Sequence, residues 1–209
     1  MIPSPFYAVI TADIVASQTL SRQQLEQLQQ QLAIYLAELA QRYQGNYQFY
    51  RGDGFQLVIA ATSEVFRCAV CIRLLLRSLA SDARLSLATG SITSDITDLA
   101  TASGAALTAA GRGLDTIGQH RLTYHGDCCD HFALNIAFID QKISSLTKRQ
   151  AEALFIHLSE PQLNHAGIAK RLDSSRVNVT KLLNSAHYDL FDAFLRLASK
   201  VTQSQYKGV

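Results

Sequence analysis

The sequence predicts an α+β sandwich followed by a small all-α unit. Over the first two thirds, short apolar β-rich runs alternate with amphipathic helical stretches, whereas the last third shows helical periodicity only. The charge changes at the same place. Residues 1–141 carry nine Arg, no Lys and twelve acids, a net −3, and residues 142–209 carry ten Lys plus Arg against five acids, a net +5. Two units follow, 1–141 and 142–209, with the boundary near Lys142–Leu146. The basic unit suggests a polyanionic partner, with a solvated basic face as the plain alternative.

Composition narrows the class. At 48% hydrophobic and 17% charged residues, the chain is not a disordered one. Three Pro and 11 Gly exclude collagen-like and Pro-rich sequences. No run of about 18 uninterrupted apolar residues predicts a membrane span. The opening MIPSPFYAVITAD lacks a basic n-region, and Asp13 interrupts its apolar stretch, so the expected location is the cytoplasm. Four Cys are too few for a disulfide scaffold.

The elements follow in order. FYAVI, residues 6–10, is a continuous apolar run and predicts a buried strand. Ser21 predicts an N-cap for a helix over Arg22–Tyr43, whose Leu25, Leu28, Leu32, Leu36 and Leu39 form one stripe. Gly45-Asn46 marks a turn. Tyr47–Tyr50 and Phe55–Ala60 predict a hairpin around Arg51-Gly52-Asp53-Gly54. Ser63 reads as the cap of a helix over Glu64–Leu79. Arg84–Thr89 is a strand, Ile92–Thr97 strand or loop, 102–117 helical, Arg121–Tyr124 a last strand and His131–Ile143 a helix leading out. The order β, α, β, β, α, β, α, β gives a sandwich of ferredoxin-like type, with helices on one face of a mixed sheet.

In the basic unit, Thr147 caps a helix from Lys148, and Asn164–Leu172 and Ser175–Tyr188 are helical with only Asp173-Ser174 between them. Ile168, Ala169, Leu172, Val179 and Leu183 have the spacing of a helix-turn-helix core, which a plain helical hairpin shares. The short turn needs a left-handed residue, here Asp173. Ser175 caps the second helix and can also meet a phosphate. Arg176, Asn178, Thr180 and Lys181 then lie on the outside of the second helix. Arg and Asn suit guanine and adenine edges, and Ser175, Thr180, Lys170 and Arg171 suit the DNA backbone. The helix over Asp189–Val201 is apolar widely enough either to close the bundle or to form a homodimer, and core packing is the favoured reading.

In the first unit, Asp13 ends the first strand and Asp53 sits in the hairpin. If the strand lies beside the hairpin, the two carboxylates and the Ile14 carbonyl converge into a hard oxygen site suited to Mg²⁺ and a phosphate. Ser17 leads to a helix N-terminus, a ready anion site, and Arg51 either meets a phosphate or neutralises the carboxylates. A strand-end cap and an ordinary turn residue are the plain readings of Asp13 and Asp53.

Ala12-Asp13-Ile14-Val15-Ala16-Ser17, Arg51-Gly52-Asp53-Gly54-Phe55, Leu87-Ala88-Thr89-Gly90 and the run from Gly104 to Arg112 come in the order and spacing of the class III nucleotidyl cyclase catalytic fold, which the sequence resembles over about residues 6–118. With Leu146-Thr147-Lys148-Arg149-Gln150 and the appended helix pair, the whole chain resembles the SatD family of bacterial proteins. The resemblance implies a palm-type, nucleotidyl cyclase-like sandwich with Asp13 and Asp53 as metal carboxylates, and Arg112 as the catalytic residue that stabilises the transition state. Phe49, Thr101 and Thr108 stand where the cyclases carry the purine-reading Lys and Asp and the ribose-orienting Asn. The metal half of the machinery therefore matches and the base-reading half does not, which disfavours efficient cyclase activity.

Elsewhere, Cys68-Ala-Val-Cys71 lies within an apolar helical stretch and reads as core rather than as a redox pair. The stretch His120 to His131 is rich in ligand types, but adjacent Cys128-Cys129 cannot easily share one tetrahedral ion. The leading functional reading is a DNA-binding transcriptional regulator whose degenerate cyclase-like unit binds a nucleotide or phosphate ligand, dimerises, or both. The alternatives are a Mg²⁺-dependent phosphoryl-transfer enzyme and an interaction module with neither activity.

Overall fold

The structure is a computed structural model that describes residues 6–50 and 52–206, with the backbone alone for 204–206. Its first unit contains β1 (Phe6–Ile14), α1 (Arg22–Arg42), β2 (Asn46–Tyr50), β3 (Gly54–Ile59), α2 (Val65–Ser78), β4 (Ala83–Ser91), α3 (Ala105–Asp115), β5 (Leu122–His125) and α4 (Asp130–Ser145). Then come α5 (Lys148–Ser159), α6 (His165–Arg171), α7 (Arg176–Ala186) and α8 (Tyr188–Tyr206). The sheet order is β2-β3-β1-β4-β5, antiparallel throughout except for the parallel β4–β5 pair. The fold is mixed α+β, as the element order predicts.

Local signals set the helix ends. Ser21 accepts from the Gln24 N–H and Gln24 reaches back, a complete capping box. Thr147 and Gln150 build a second one at the start of α5. Ser63 does not cap α2. A 3-10 turn over Thr62–Glu64 comes first, and α2 starts from Glu64 with no side-chain cap. Of Ile92–Thr97, only Ile92 makes a bridge, to Gly104.

The expectation that all helices lie on one face is corrected. The large cluster takes Ala8, Ile10, Leu57, Leu85 and Leu87 with α1 and α2, whereas α3 packs through Ala106 and Ala110 on Val9, Val58 and Ala88. Strand neighbours point to opposite faces. The unbroken apolar run of β1 therefore needs cover on both sides, and α3 supplies the second.

The helices after α4 share the large cluster with α1 and α2, and that cluster runs from Ala8 to Ala198. The sequence boundary at 141/142 falls inside α4. Arg67 Nη1 donates to the Leu158 carbonyl at 3.2 Å and Arg77 Nη2 to the Leu146 carbonyl at 2.6 Å, tying α2 to α5 and its entry. A buried ionic knot holds α4. Arg73, fully buried, forks onto Asp82 at 2.9 and 3.0 Å and also donates to Asp140 at 2.7 Å and Ser144 at 2.9 Å.

Candidate functional site

The α3-facing side of the sheet changes character along β1. The row Val58–Val9–Ala88 is apolar and covered by α3. The next row pairs Gln56 with Thr11, Thr11 with Ser86 and Ser86 with Thr123 across four strands. Gln56 Nε2 donates to Thr11 Oγ1 at 2.9 Å, while the buried Ser86 and Thr123 hydroxyls have no hydrogen-bond partner among the described residues. The row after that sets Asp13 between Gly54 and Arg84. Beyond the covered row, the charged end of the sheet opens into a cleft of about 620 Å³ lined by Thr11, Asp13, Tyr50, Asp53, Arg84 and Asp115, among others.

This register brings Asp13 and Asp53 to one end of the sheet. The Ile14 N–H donates to the Asp53 carbonyl at 3.1 Å and pins the hairpin tip to β1. Ser17 donates its hydroxyl to Asp53 Oδ2 at 2.5 Å, so it is turned to the carboxylate. Arg51 lies outside the described residues. Among the described residues, Arg84 neutralises Asp13, a role that sequence reasoning missed. Its Nε donates to Asp13 Oδ1 at 2.9 Å and its Nη2 to Asp13 Oδ2. The Asp13 hydrogen bond, with the Asp13 and Asp53 charges behind it, raises the Arg84 pKa above its ordinary value against the opposing effect of burial. The missed signal was the pairing of residue 13 with residue 84, which exists only once the strands are in register.

Arg112 is exposed and does not line the cleft, which takes Gly111, Leu114 and Asp115 from α3. Among the described residues, three carboxylates and one guanidinium line the cleft. The paired carboxylates attract a hard cation. Mg²⁺ is commonly held by one or two carboxylates with its remaining positions on water and phosphate oxygens. The donor chemistry of Asp13 and Asp53 fits that pattern, with the Arg84 fork as the competitor for Asp13. Among the described residues, no group of three or more His, Cys, Asp or Glu side chains could share a metal ion. The ligand-rich stretch from His120 to His131 therefore forms no such site. Cys68 and Cys71 are buried in α2, and burial pushes both thiols up, Cys71 to about 11, as a core pair requires.

In the C-terminal third, α6 and α7 are joined by a tight turn. Asp173 adopts φ 46°, the left-handed conformation, and Ser175 caps α7 by accepting from the Asn178 N–H at 3.1 Å. Ile168, Ala169, Val179 and Leu183 are buried beneath the pair. Arg176, Lys181 and Lys170 are exposed, as is Val177 at 65%.

Three of the residues expected to face DNA are engaged within the protein. Thr180 is half-buried rather than fully outside: it donates to the Arg176 carbonyl at 2.9 Å and meets His165 Nδ1 at 2.9 Å, because its position on α7 turns toward α6. Arg171 reaches back to Glu160 at 2.6 Å. Asn178 is exposed but donates to Ser174 Oγ at 3.0 Å. The structure adds one basic region to this face. Gln150 Nε2 donates to Ser185 Oγ at 2.9 Å, which brings the start of α5, with Lys148 and Arg149, beside α7.

No helix among the described residues is long and apolar enough to cross a membrane. No family model matches the sequence, and no curated protein matches it. Solved structures similar to part of the chain are adenylyl and guanylyl cyclases. A bacterial light-regulated adenylyl cyclase is 18% identical over 58% of this chain and 76% of that one, with a TM-score of 0.43. The adenylyl cyclase CyaB from P. aeruginosa is 15% identical over 53% and 71%, with a TM-score of 0.45. The guanylate cyclase domain of RhGC from Catenaria anguillulae, solved in complex with GTP, is 16% identical over 54% and 74%, with a TM-score of 0.44.

Proposed function

We propose that this protein is a cytoplasmic DNA-binding regulator that contacts duplex DNA through α7. The observation that carries the reading is the turn between α6 and α7. A left-handed Asp173 and a capping Ser175 present the start of α7 outward, with Arg176 and Lys181 exposed and outside any ion pair among the described residues. In this arrangement Arg176 and Asn178 read base edges, and Asn178 exchanges its contact with Ser174 for a base. Lys170, Lys181 and Ser175 meet phosphates. The test is capture of genomic DNA fragments by the full chain at physiological salt. Enrichment of discrete sequences supports it, and enrichment no better than background overturns it. Arg176→Ala with Lys181→Ala should weaken binding and flatten the dependence of log affinity on log salt by up to about 2.

A second reading concerns the cleft, and the convergence of Asp13, Asp53 and Arg84 favours it. There the chain takes a nucleotide or other phosphate ligand together with Mg²⁺, either as an effector or as the substrate of phosphoryl transfer. Asp13 and Asp53 hold the cation, which supplies positive charge to phosphate oxygens. Released from Asp13, Arg84 turns its fork to the phosphate. With Asp13 and Asp53 as the cation's holders, the ligand's affinity depends on the divalent ion. Equal nucleotide binding with Mg²⁺ and with a chelator would sink this reading.

A further inference from the structure

Helix α8 has two apolar faces, and the fold uses one of them. Phe191, Phe194, Leu195 and Ala198 are buried, and Phe194 stacks on Phe132 at 6.0 Å and meets Phe66 edge-on at 5.5 Å. On the other side Leu190 is 57% and Leu197 43% exposed, with exposed Ala193 between them. Steps of three and four put these on one stripe. A single exposed leucine means nothing, but this stripe carries ordered charge. Exposed Asp189 stands at its start and exposed Arg196 and Lys200 in its second half. At 3.6 residues per turn all three fall on the same flank.

We propose that this stripe pairs with the same stripe of a second copy of the chain, the two α8 helices running antiparallel about a two-fold axis through its midpoint. The midpoint of Leu190 and Leu197 lies between positions 193 and 194, so the axis sets position 189 opposite position 198 of the other copy. Arg196 and Lys200 are two residues to either side of that point, about 3 Å along the axis. A two-fold axis along the flank keeps like flanks together, so Asp189 of each copy meets both basic residues of the other, and the contact forms twice. A parallel two-fold pairing carries the charged flanks to opposite sides of the seam, so Asp189 there meets neither basic residue of the other copy. The order of charge thus selects a self-complementary, antiparallel partner. The surface is independent of both readings above, since it uses no residue of the cleft or of α7.

Sedimentation equilibrium on the full chain tests it. Wild type is expected to dimerise below about 100 μM. Leu190→Glu with Leu197→Glu should leave a folded monomer with an unchanged circular dichroism spectrum, because both side chains point to solvent. Asp189→Arg alone, or Arg196→Glu with Lys200→Glu, should weaken the dimer about tenfold. Combining all three reversals should restore it to within about twofold of wild type, because the pairs are remade with opposite sign. A monomeric wild type overturns the proposal. So does a triple reversal as weak as its parts. So does a dimer that survives Leu190→Glu with Leu197→Glu but is lost on Leu134→Glu with Phe138→Glu, the exposed stripe on α4.

Discussion

Arg84 and Asp13 face each other across the β1–β4 pair, and the guanidinium takes both oxygens of the carboxylate. The cleft thus carries its own cation, and a metal ion has to compete with it. Arg84→Ala removes the competitor and should raise the affinity for Mn²⁺ about three- to tenfold, the scale expected for one charge a few ångströms away in a partly exposed site. Asp13→Asn should abolish that binding. Calorimetric titration with Mn²⁺ reads both, and an Arg84→Ala protein with wild-type affinity would mean that the fork is irrelevant to cation binding.

The buried knot at Arg73 makes a separate demand. Removing the guanidinium leaves Asp82 and Asp140 as carboxylates in the interior, both almost fully buried. Arg73→Met is therefore expected to cost about 3–5 kcal/mol in urea unfolding. Adding Asp82→Asn and Asp140→Asn to that variant should recover a good part of the loss, because the stranded charges are gone. A further drop would show that the carboxylates matter for a reason other than the pairing.

Gly45 illustrates closeness rather than conformational freedom. The left-handed residue of this turn is Gln44, at φ 50°. A Cβ on Gly45 would stand 1.9 Å from the Val58 carbonyl oxygen and 2.9 Å from its carbon. Both are backbone atoms of a central strand, so neither can yield cheaply. Gly45→Ala should destabilise the chain by about 3 kcal/mol, read as a fall in urea midpoint at unchanged slope. A midpoint within error of wild type would show that the α1–β2 turn is free to move away from β3.

The four cysteines should separate by reactivity. Burial pushes the Cys68 and Cys71 thiols up, Cys71 to about 11, so almost no thiolate forms there near pH 8. Cys129 is exposed, and Cys128 is half-buried, with its thiol pushed up first by that burial and then by the neighbouring Cys129, Asp127 and Asp130. With a disulfide reagent at pH 8, Cys129 should react first and Cys128 more slowly. Cys68 and Cys71 should wait for denaturant. Four equivalent thiols in the native protein would contradict the packing of α2.

The legible part of this protein is local. Ser21 and Thr147 each sit three residues before a Gln, and both capping boxes form. Asp173-Ser174-Ser175 announces a tight left-handed turn followed by a cap, and the backbone obliges. Ser63 offers the same kind of signal and fails, because a 3-10 turn over Thr62–Glu64 takes up the chain first. Thr180 shows where helical periodicity runs out. Spacing along α7 gives the angle of its side chain but not where α6 lies, and α6 brings His165 to it.

The sequence by itself determined the order of strands and helices, the caps at Ser21, Thr147 and Ser175, and the presence of two carboxylates at strand and hairpin ends. Each of these rests on interactions within a few residues of chain, where residue type and spacing are sufficient. The tertiary structure alone decided that α3 covers the second face of β1, that Arg84 forks onto Asp13, and that Arg73 gathers Asp82 and Asp140. It also decided that Leu190 and Leu197 stay outside while Phe191 and Phe194 go in. The Asp13–Arg84 pair spans 71 residues and the Arg73–Asp140 pair 67. Partners so far apart are chosen by sheet register and helix packing, which satisfy the burial of the whole chain at once.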